Sequence, residues 1–266
     1  MNIYGAIGYT LLKNNKTKNK VIILADMHDK LDLCNNPILI TEWFKKKINS
    51  SIILLEEVPR EEVKLEELWT ESIHTNLLKN LFLNNKDIIK PIDIRPLIIL
   101  FSLEYYKDSI NITLSEYLNK IDLFFKFENE YIKNKVSCFS ESLILNTLLG
   151  NHFYKLKYIN YYIFLEKYKD KLNKLLIDIY DPELYYDFDN LINNIMEWYI
   201  CANVILFENK SIIIHTGLLH SEKVVDLLVN SYDYSIIYTI GINKIQELDD
   251  KNYGCVKIPE IIDKNF

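Results

Sequence analysis

The chain has 266 residues, of which 49% are hydrophobic and 26% charged, and a formal net charge of −6. That is the balance of an ordinary globular protein with enough chain to bury its own core, and the acidic sign argues against nucleic acid as main partner, since phosphate binding needs a concentrated basic face. No run approaches the roughly 18 uninterrupted apolar residues of a membrane span, and Met1-Asn2-Ile3-Tyr4 opens no charged-then-apolar leader.

In chain order, Asn2 to Leu12 offers an edge strand, and Val21-Ile22-Ile23-Leu24-Ala25 is an apolar, β-branched run ending in polar Asp26-Met27-His28-Asp29. Such a run predicts a buried parallel strand that delivers its polar tip into a loop. A helix is expected from about Pro37 to Ile48, with proline in its first turn and Lys45 to Lys47 at its negative end. Ser51 to Leu55 is a second buried strand, ending in Glu56-Glu57 before Pro59. Helix is expected over 61–83, broken near Glu71, and a third strand over Ile88 to Ile94, ending in Asp93, Arg95 and Pro96.

From 96 to 207 apolar residues recur at helical spacing, which predicts helices at roughly 96–107, 113–134, 141–149, 152–176 and 183–206. No Gly/Ser/Pro-rich linker sets this stretch apart, so it reads as a helical insert or lid within one domain covering 1–266. Strand character resumes at Ser211 to Thr216, followed by Gly217-Leu218-Leu219-His220, a helix over Ser221 to Val229 and a strand over Tyr234 to Ile240, with 252–266 irregular. Strand–helix alternation at both ends predicts an α/β fold, a mostly parallel sheet covered by helices. The cysteines, Cys34, Cys138, Cys201 and Cys255, lie far apart with no CxxC pair. They read as reduced thiols of an intracellular, cytoplasmic protein. The rich use of Lys, Asn, Ile and Tyr matches an A+T-rich genome, such as that of a virus or parasite, so Asn and Tyr runs say little about function.

In open α/β sheets, functional groups collect at the carboxyl edge. Three predicted strands end there in Asp26/His28, Glu56/Glu57 and Asp93/Arg95, and a fourth leads into His220. Imidazoles and carboxylates suit divalent first-row metals such as zinc or manganese, and two His with one Glu leave positions open for water that the ion can acidify. Strand alternation sends Glu56 and Glu57 to opposite faces, so one of them enters the site.

Ala25-Asp26-Met27-His28, the acid of Leu54-Leu55-Glu56-Glu57, Asp93-Ile94-Arg95 and Gly217-Leu218-Leu219-His220 resemble, in order and placement, the TraB/Tiki/ChaN/erythromycin-esterase group. That group carries GxxH after a first strand, a Glu after the next and a second GxxH near the C-terminus. Met196 to Ile205 is similar to the helix before its second GxxH. The resemblance spans about 20–100 and 185–245 and departs from the pattern at Ala25, where the group has glycine. It favours Glu56 over Glu57. It implies a metal-dependent hydrolase of peptide or ester bonds, with His28, Glu56 and His220 holding a divalent metal; direct acid–base work by the same residues is the fallback. Glu56 would be ligand or general base, Asp26 a ligand or the group orienting His28, and Arg95 an oxyanion or carboxylate clamp. No other cofactor is expected, and the partner is a small-molecule or peptide substrate. The alternatives are a non-catalytic binding protein that keeps the fold, and a haem or iron binder.

Other residues have plainer readings. His215, inside an apolar strand, reads as a buried, hydrogen-bonded core histidine, and His74 and His152 as surface or packing residues of helices. Tyr158, Tyr161 and Tyr162 read as helix packing, and Glu61-Glu62 and Glu66-Glu67 as a solvated helix face. No GxxxxGK[ST], GxGxxG or GxSxG occurs, so nucleotide binding and serine hydrolysis of the usual kinds lack support.

Overall fold

A computed structural model of the chain describes residues 1–28, 32, 34–57, 72–95, 111–119, 161–207, 209–248, 254–260 and 262. The chain divides into two compact units, Met1–Ile92 with Asn203–Phe266, and Asp93–Ala202.

The first unit is built on a six-stranded sheet. Its strands are β2 (Gly8–Asn14), β3 (Lys20–Asp26), β5 (Ser51–Leu55), β6 (Ile89–Pro91), β7 (Ser211–Gly217) and β8 (Tyr234–Gly241), in the spatial order β6-β5-β7-β3-β2-β8. The four strands from β6 to β3 run parallel, and β2 and β8 add antiparallel to one side. This is the mostly parallel α/β sheet that the apolar runs predict. The pattern follows from burial on both faces: every residue of β5 is buried, as are the last six of β3. Alternation then divides them. Ile22 and Leu24 of β3, Ile53 and Leu55 of β5 and Ile213 of β7 join one core with Ile40, Trp43 and Phe44 of helix α1 (Ile40–Lys47) and Leu78, Leu81 and Phe82 of helix α2 (Ile73–Leu83). Ala25 faces the other way, against Tyr4, Ile7 and Leu218. Each fully buried Leu, Ile or Phe contributes roughly 1.5–3 kcal/mol, so this core, not any single polar contact, holds the sheet.

A second, three-stranded sheet has the order β4-β1-β9, from β1 (Asn2–Tyr4), β4 (Pro37–Leu39) and β9 (Cys255–Lys257). It corrects two expectations. Pro37 lies in a strand paired parallel with β1, and the helix starts three residues later at Ile40. The segment after 252 is also not wholly irregular, because β9 pairs antiparallel with β1. The N-terminal stretch holds two strands, and neither is the outer strand of the large sheet, a place taken by β8.

Cys34, just before β4, is joined by a disulfide to Cys255, the first residue of β9. The reading of four reduced thiols is therefore wrong for this pair, whose partners are 221 residues apart and so leave no local spacing signal. Cys201 is a free, buried thiol, and Cys138 lies outside the described residues. Disulfides of this kind belong to oxidising compartments, so the cytoplasmic expectation loses the support it drew from free thiols. Among the described residues no helix is long and apolar enough to cross a membrane.

In the second unit the described helices are a stretch over 114–119, α3 (Tyr162–Lys167), a 3-10 turn over Leu176–Asp178 and most of α4 (Pro182–Leu206). Asp181 accepts backbone N–H groups of Glu183 and Leu184 and so caps α4, with Pro182 in its first turn. The helix expected over 152–176 is shorter, because the chain turns at 168–174 and Leu175 bridges to Thr113. The helices expected over 96–107 and 141–149 lie outside the described residues, as do Tyr158, His152 and the acidic stretch 61–67.

Candidate functional site

The sheet order places the carboxyl ends of β3, β7 and β5 side by side, with β7 in the middle. β5 leads on toward β6 on one side, whereas β7 leads to β8 beyond β3 and β2 on the other. Such a reversal of direction opens a crevice at the strand ends. Register then sets which residues meet. Asp26 pairs with Gly217 and Leu55 with His215. The Glu56 backbone N–H donates to the His215 carbonyl at 3.0 Å, extending the parallel ladder by one residue. Glu56 thus arrives beside Thr216 and Gly217.

Its carboxylate is the centre of the cluster. Oε2 accepts from the Gly217 backbone N–H at 2.6 Å, from the Thr216 hydroxyl at 2.7 Å and from His28 Nε2 at 3.1 Å. Oε1 lies 3.9 Å from His220 Nε2. Gly217 is the N-cap of helix α5 (Leu218–Ser231), and His220 sits in its first turn. The anion therefore rests at the positive end of a helix, where exposed N–H groups favour it. A Cβ on Gly217 would meet His28 Nε2 at 3.3 Å and Glu56 Oε2 at 3.5 Å, which gives a steric reason for glycine here. Glu57 turns away, is buried, and pairs with Lys79 at 3.3 Å.

Behind His28 stands Asp26, whose side chain has no exposure and whose Oδ2 lies 3.0 Å from His28 Nδ1. His28 is thus flanked by a carboxylate at each ring nitrogen. Burial pushes its pKa down, but the charge of Glu56 and the contacts with Asp26 outweigh this and hold it well above the ordinary 6.5. Burial likewise pushes Asp26 up, and its bonds to His28 and His74 overcome that, leaving it well below the usual carboxylate range. Ala25, the departure from glycine in the first motif, points its methyl into the cluster of Tyr4, Ile7 and Leu218, so the change does not displace His28.

His74, expected to be a surface or packing residue, is instead 1% exposed, and its Nε2 lies 2.8 and 2.9 Å from the two oxygens of Asp26. No sequence signal points to this contact, because the two residues are 48 positions apart and His74 sits in a helical pattern. His215 is a buried core histidine: it donates Nε2–H to the Gly5 carbonyl at 2.7 Å and approaches Asp26 Oδ2 to 4.0 Å. Burial, the largest influence, lowers its pKa despite nearby Asp26. Gly5 takes φ +99°, and a Cβ there would run into Ile40 at 2.8 Å, so only glycine lets the backbone turn here. Four of the five histidines in the chain gather at this one edge.

Arg95 belongs to the second unit, where its guanidinium donates to Asp93 at 2.8 and 3.0 Å and to Asn193 at 3.1 Å.

The donor types of His28, Glu56 and His220 suit a divalent metal, but their arrangement does not enclose one. Glu56 Oε2 already takes three donors, and His28 meets a carboxylate at each nitrogen. Among the described residues no group of three or more His, Cys, Asp or Glu side chains is disposed to hold an ion. What the cluster offers directly is a cationic imidazole in contact with a carboxylate, with a second imidazole beside it. No protein-family model matches the chain, and neither a curated protein nor a solved structure matches it.

Proposed function

We propose that this chain is a hydrolase of ester or peptide bonds that works by acid–base chemistry at Glu56, His28 and His220, with Asp26 orienting His28. The observation that carries this reading is the contact of His28 Nε2 with Glu56 Oε2, backed by the buried Asp26 at the opposite ring nitrogen. A carboxylate at a sheet edge can take the proton of a water that attacks an acyl carbon. A protonated imidazole beside it can stabilise the developing oxyanion and then protonate the leaving group. Asp26 keeps the ring in one orientation, as a carboxylate behind a histidine does in acyl-transfer enzymes. The order of the two GxxH-like motifs and the intervening acid, similar to the TraB/Tiki/ChaN/erythromycin-esterase group, supports the same reading. No step is given to Arg95 or to a metal ion.

The test is hydrolysis of p-nitrophenyl esters and of a fluorogenic peptide set by the purified chain, with and without a chelator. Turnover that resists chelation and falls about 10²- to 10⁴-fold in His28→Ala and Glu56→Gln is expected. Turnover abolished by chelation and restored by zinc or manganese assigns the cluster to metal chemistry. Absence of turnover, with haem or iron bound instead or nothing bound, leaves a binding protein.

A further inference from the structure

Asp26 is wholly buried yet serves two imidazoles, and the inner one has no part in the chemistry proposed above. We infer that His74 is a positioning residue that fixes the Asp26 carboxylate and, through it, the orientation of the His28 ring. The inference rests on the acid–base reading of His28.

Several observations converge on it. A carboxylate buried to this degree must be paired and hydrogen-bonded to stay ionised. His28 supplies one contact, at Oδ2. His74 Nε2 spans both oxygens, at 2.8 and 2.9 Å, and so sets the plane of the carboxylate. The Ser72 hydroxyl lies 3.2 Å from His74 Nδ1 and 3.5 Å from its Nε2, and 2.6 Å from the Thr75 hydroxyl. The Asp26 carboxylate only accepts, so the Nε2 that faces it carries a proton. The Tyr4 ring packs edge-on against the imidazole with centroids 6.0 Å apart, and a Cβ on Gly5 would come within 3.1 Å of the His74 Cβ, so the backbone at Gly5 packs closely against the root of this side chain. The chain of contacts runs Ser72, His74, Asp26, His28, Glu56, from the start of α2 to the edge of the sheet. Partners of this kind hold a working imidazole in one tautomer and orientation, and losing one typically costs about 10- to 100-fold in function.

The test compares His74→Gln, His74→Asn and His74→Leu by long-range proton–nitrogen NMR of the histidine rings at pH 7. The Gln amide reaches the place of Nε2 and can donate to Asp26, whereas the Asn amide is too short and Leu has no donor. His28 signals that match wild type in the Gln variant and shift or broaden in the Asn and Leu variants support the inference. His28 signals unchanged in a folded Asn or Leu variant overturn it, and so do signals that shift in the Gln variant. Should Asn and Leu both fail to fold, His28 signals that shift in the Gln variant still overturn the inference. With p-nitrophenyl acetate, the Asn variant is expected to lose about 10- to 100-fold in kcat at unchanged KM, with recovery in Gln. A wild-type protein without turnover removes the hydrolase reading, while the ring signals still decide whether His74 positions His28.

Discussion

Replacing Glu56 gives the sharpest check on the cluster, because one oxygen carries three contacts. Glu56→Ala strands the Gly217 N–H, the Thr216 hydroxyl and the cationic His28 in a site where the native side chain is 8% exposed. An orphaned buried donor costs about 1–3 kcal/mol, and breaking a buried ion pair on one side costs about 3–5 kcal/mol. The three losses do not simply add, since the hydroxyl can rotate and water can enter the space. We therefore expect a total of about 3–5 kcal/mol, a large part of the roughly 5–15 kcal/mol typical of a domain. Glu56→Gln is the control. Its amide oxygen can still accept from Gly217 and Thr216, so only the charge-assisted part of the His28 contact is lost, about 1–2 kcal/mol. Urea denaturation at pH 6.5, followed by tryptophan fluorescence, measures both; Trp43, one of the chain's three tryptophans, reports from this core. The midpoint should fall in the order wild type, Gln, Ala at unchanged slope. An Ala variant within about 1 kcal/mol of wild type would refute the idea that Glu56 organises this edge.

Stability should also peak near pH 6.5. With its raised pKa, His28 keeps its proton in the folded state above 6.5 while the unfolded chain loses its own, so stability falls as pH rises beyond that point. His215, with a lowered pKa, stays neutral in the folded state below 6.5 while the unfolded chain takes up a proton, so stability falls on that side too. Each limb approaches about 1.4 kcal/mol per pH unit, and denaturation of His28→Ala across pH 5–9 should flatten the alkaline limb alone. Asp26 adds a further loss below its ordinary value of 3.8, as pH falls toward its depressed folded pKa. Gly217→Ala must push His28 by a few tenths of an ångström; it should leave the fold intact but cut turnover about 10-fold or more, read as kcat on the best ester found. Cys34→Ser should lower stability by about 2–5 kcal/mol under oxidising conditions and leave it unchanged when wild type and variant are both measured in reductant.

The parts of the site legible in the sequence are those written into strand ends. Val21 to Ala25, Ser51 to Leu55 and Ser211 to Thr216 are apolar on both faces, so each must be buried, and the polar residue that follows each run must lie at the sheet edge. That logic brings Asp26, His28, Glu56 and His220 to one place. It cannot find His74, which reaches Asp26 from a helix whose apolar pattern only says that one face is buried. Nor can it find the role of Gly5, which depends on Ile40 packing against a turn 35 positions away, or the pairing of Cys34 with Cys255. Periodicity reports burial; it does not report which distant side chain completes a buried charge. Arg95 also follows its strand as a charged residue, and its guanidinium is bonded to Asp93, two residues away, and to Asn193.

The bond between Cys34 and Cys255 also governs what a protease can do to this molecule. A single cut anywhere in the polypeptide between those positions, including the whole of the second unit, yields two pieces that stay tethered. Nicked protein should migrate as one species on a denaturing gel until thiol is added, and after a cut before Ser211 the fragment carrying β3 should remain linked to the one carrying β7 with His215 and the following His220.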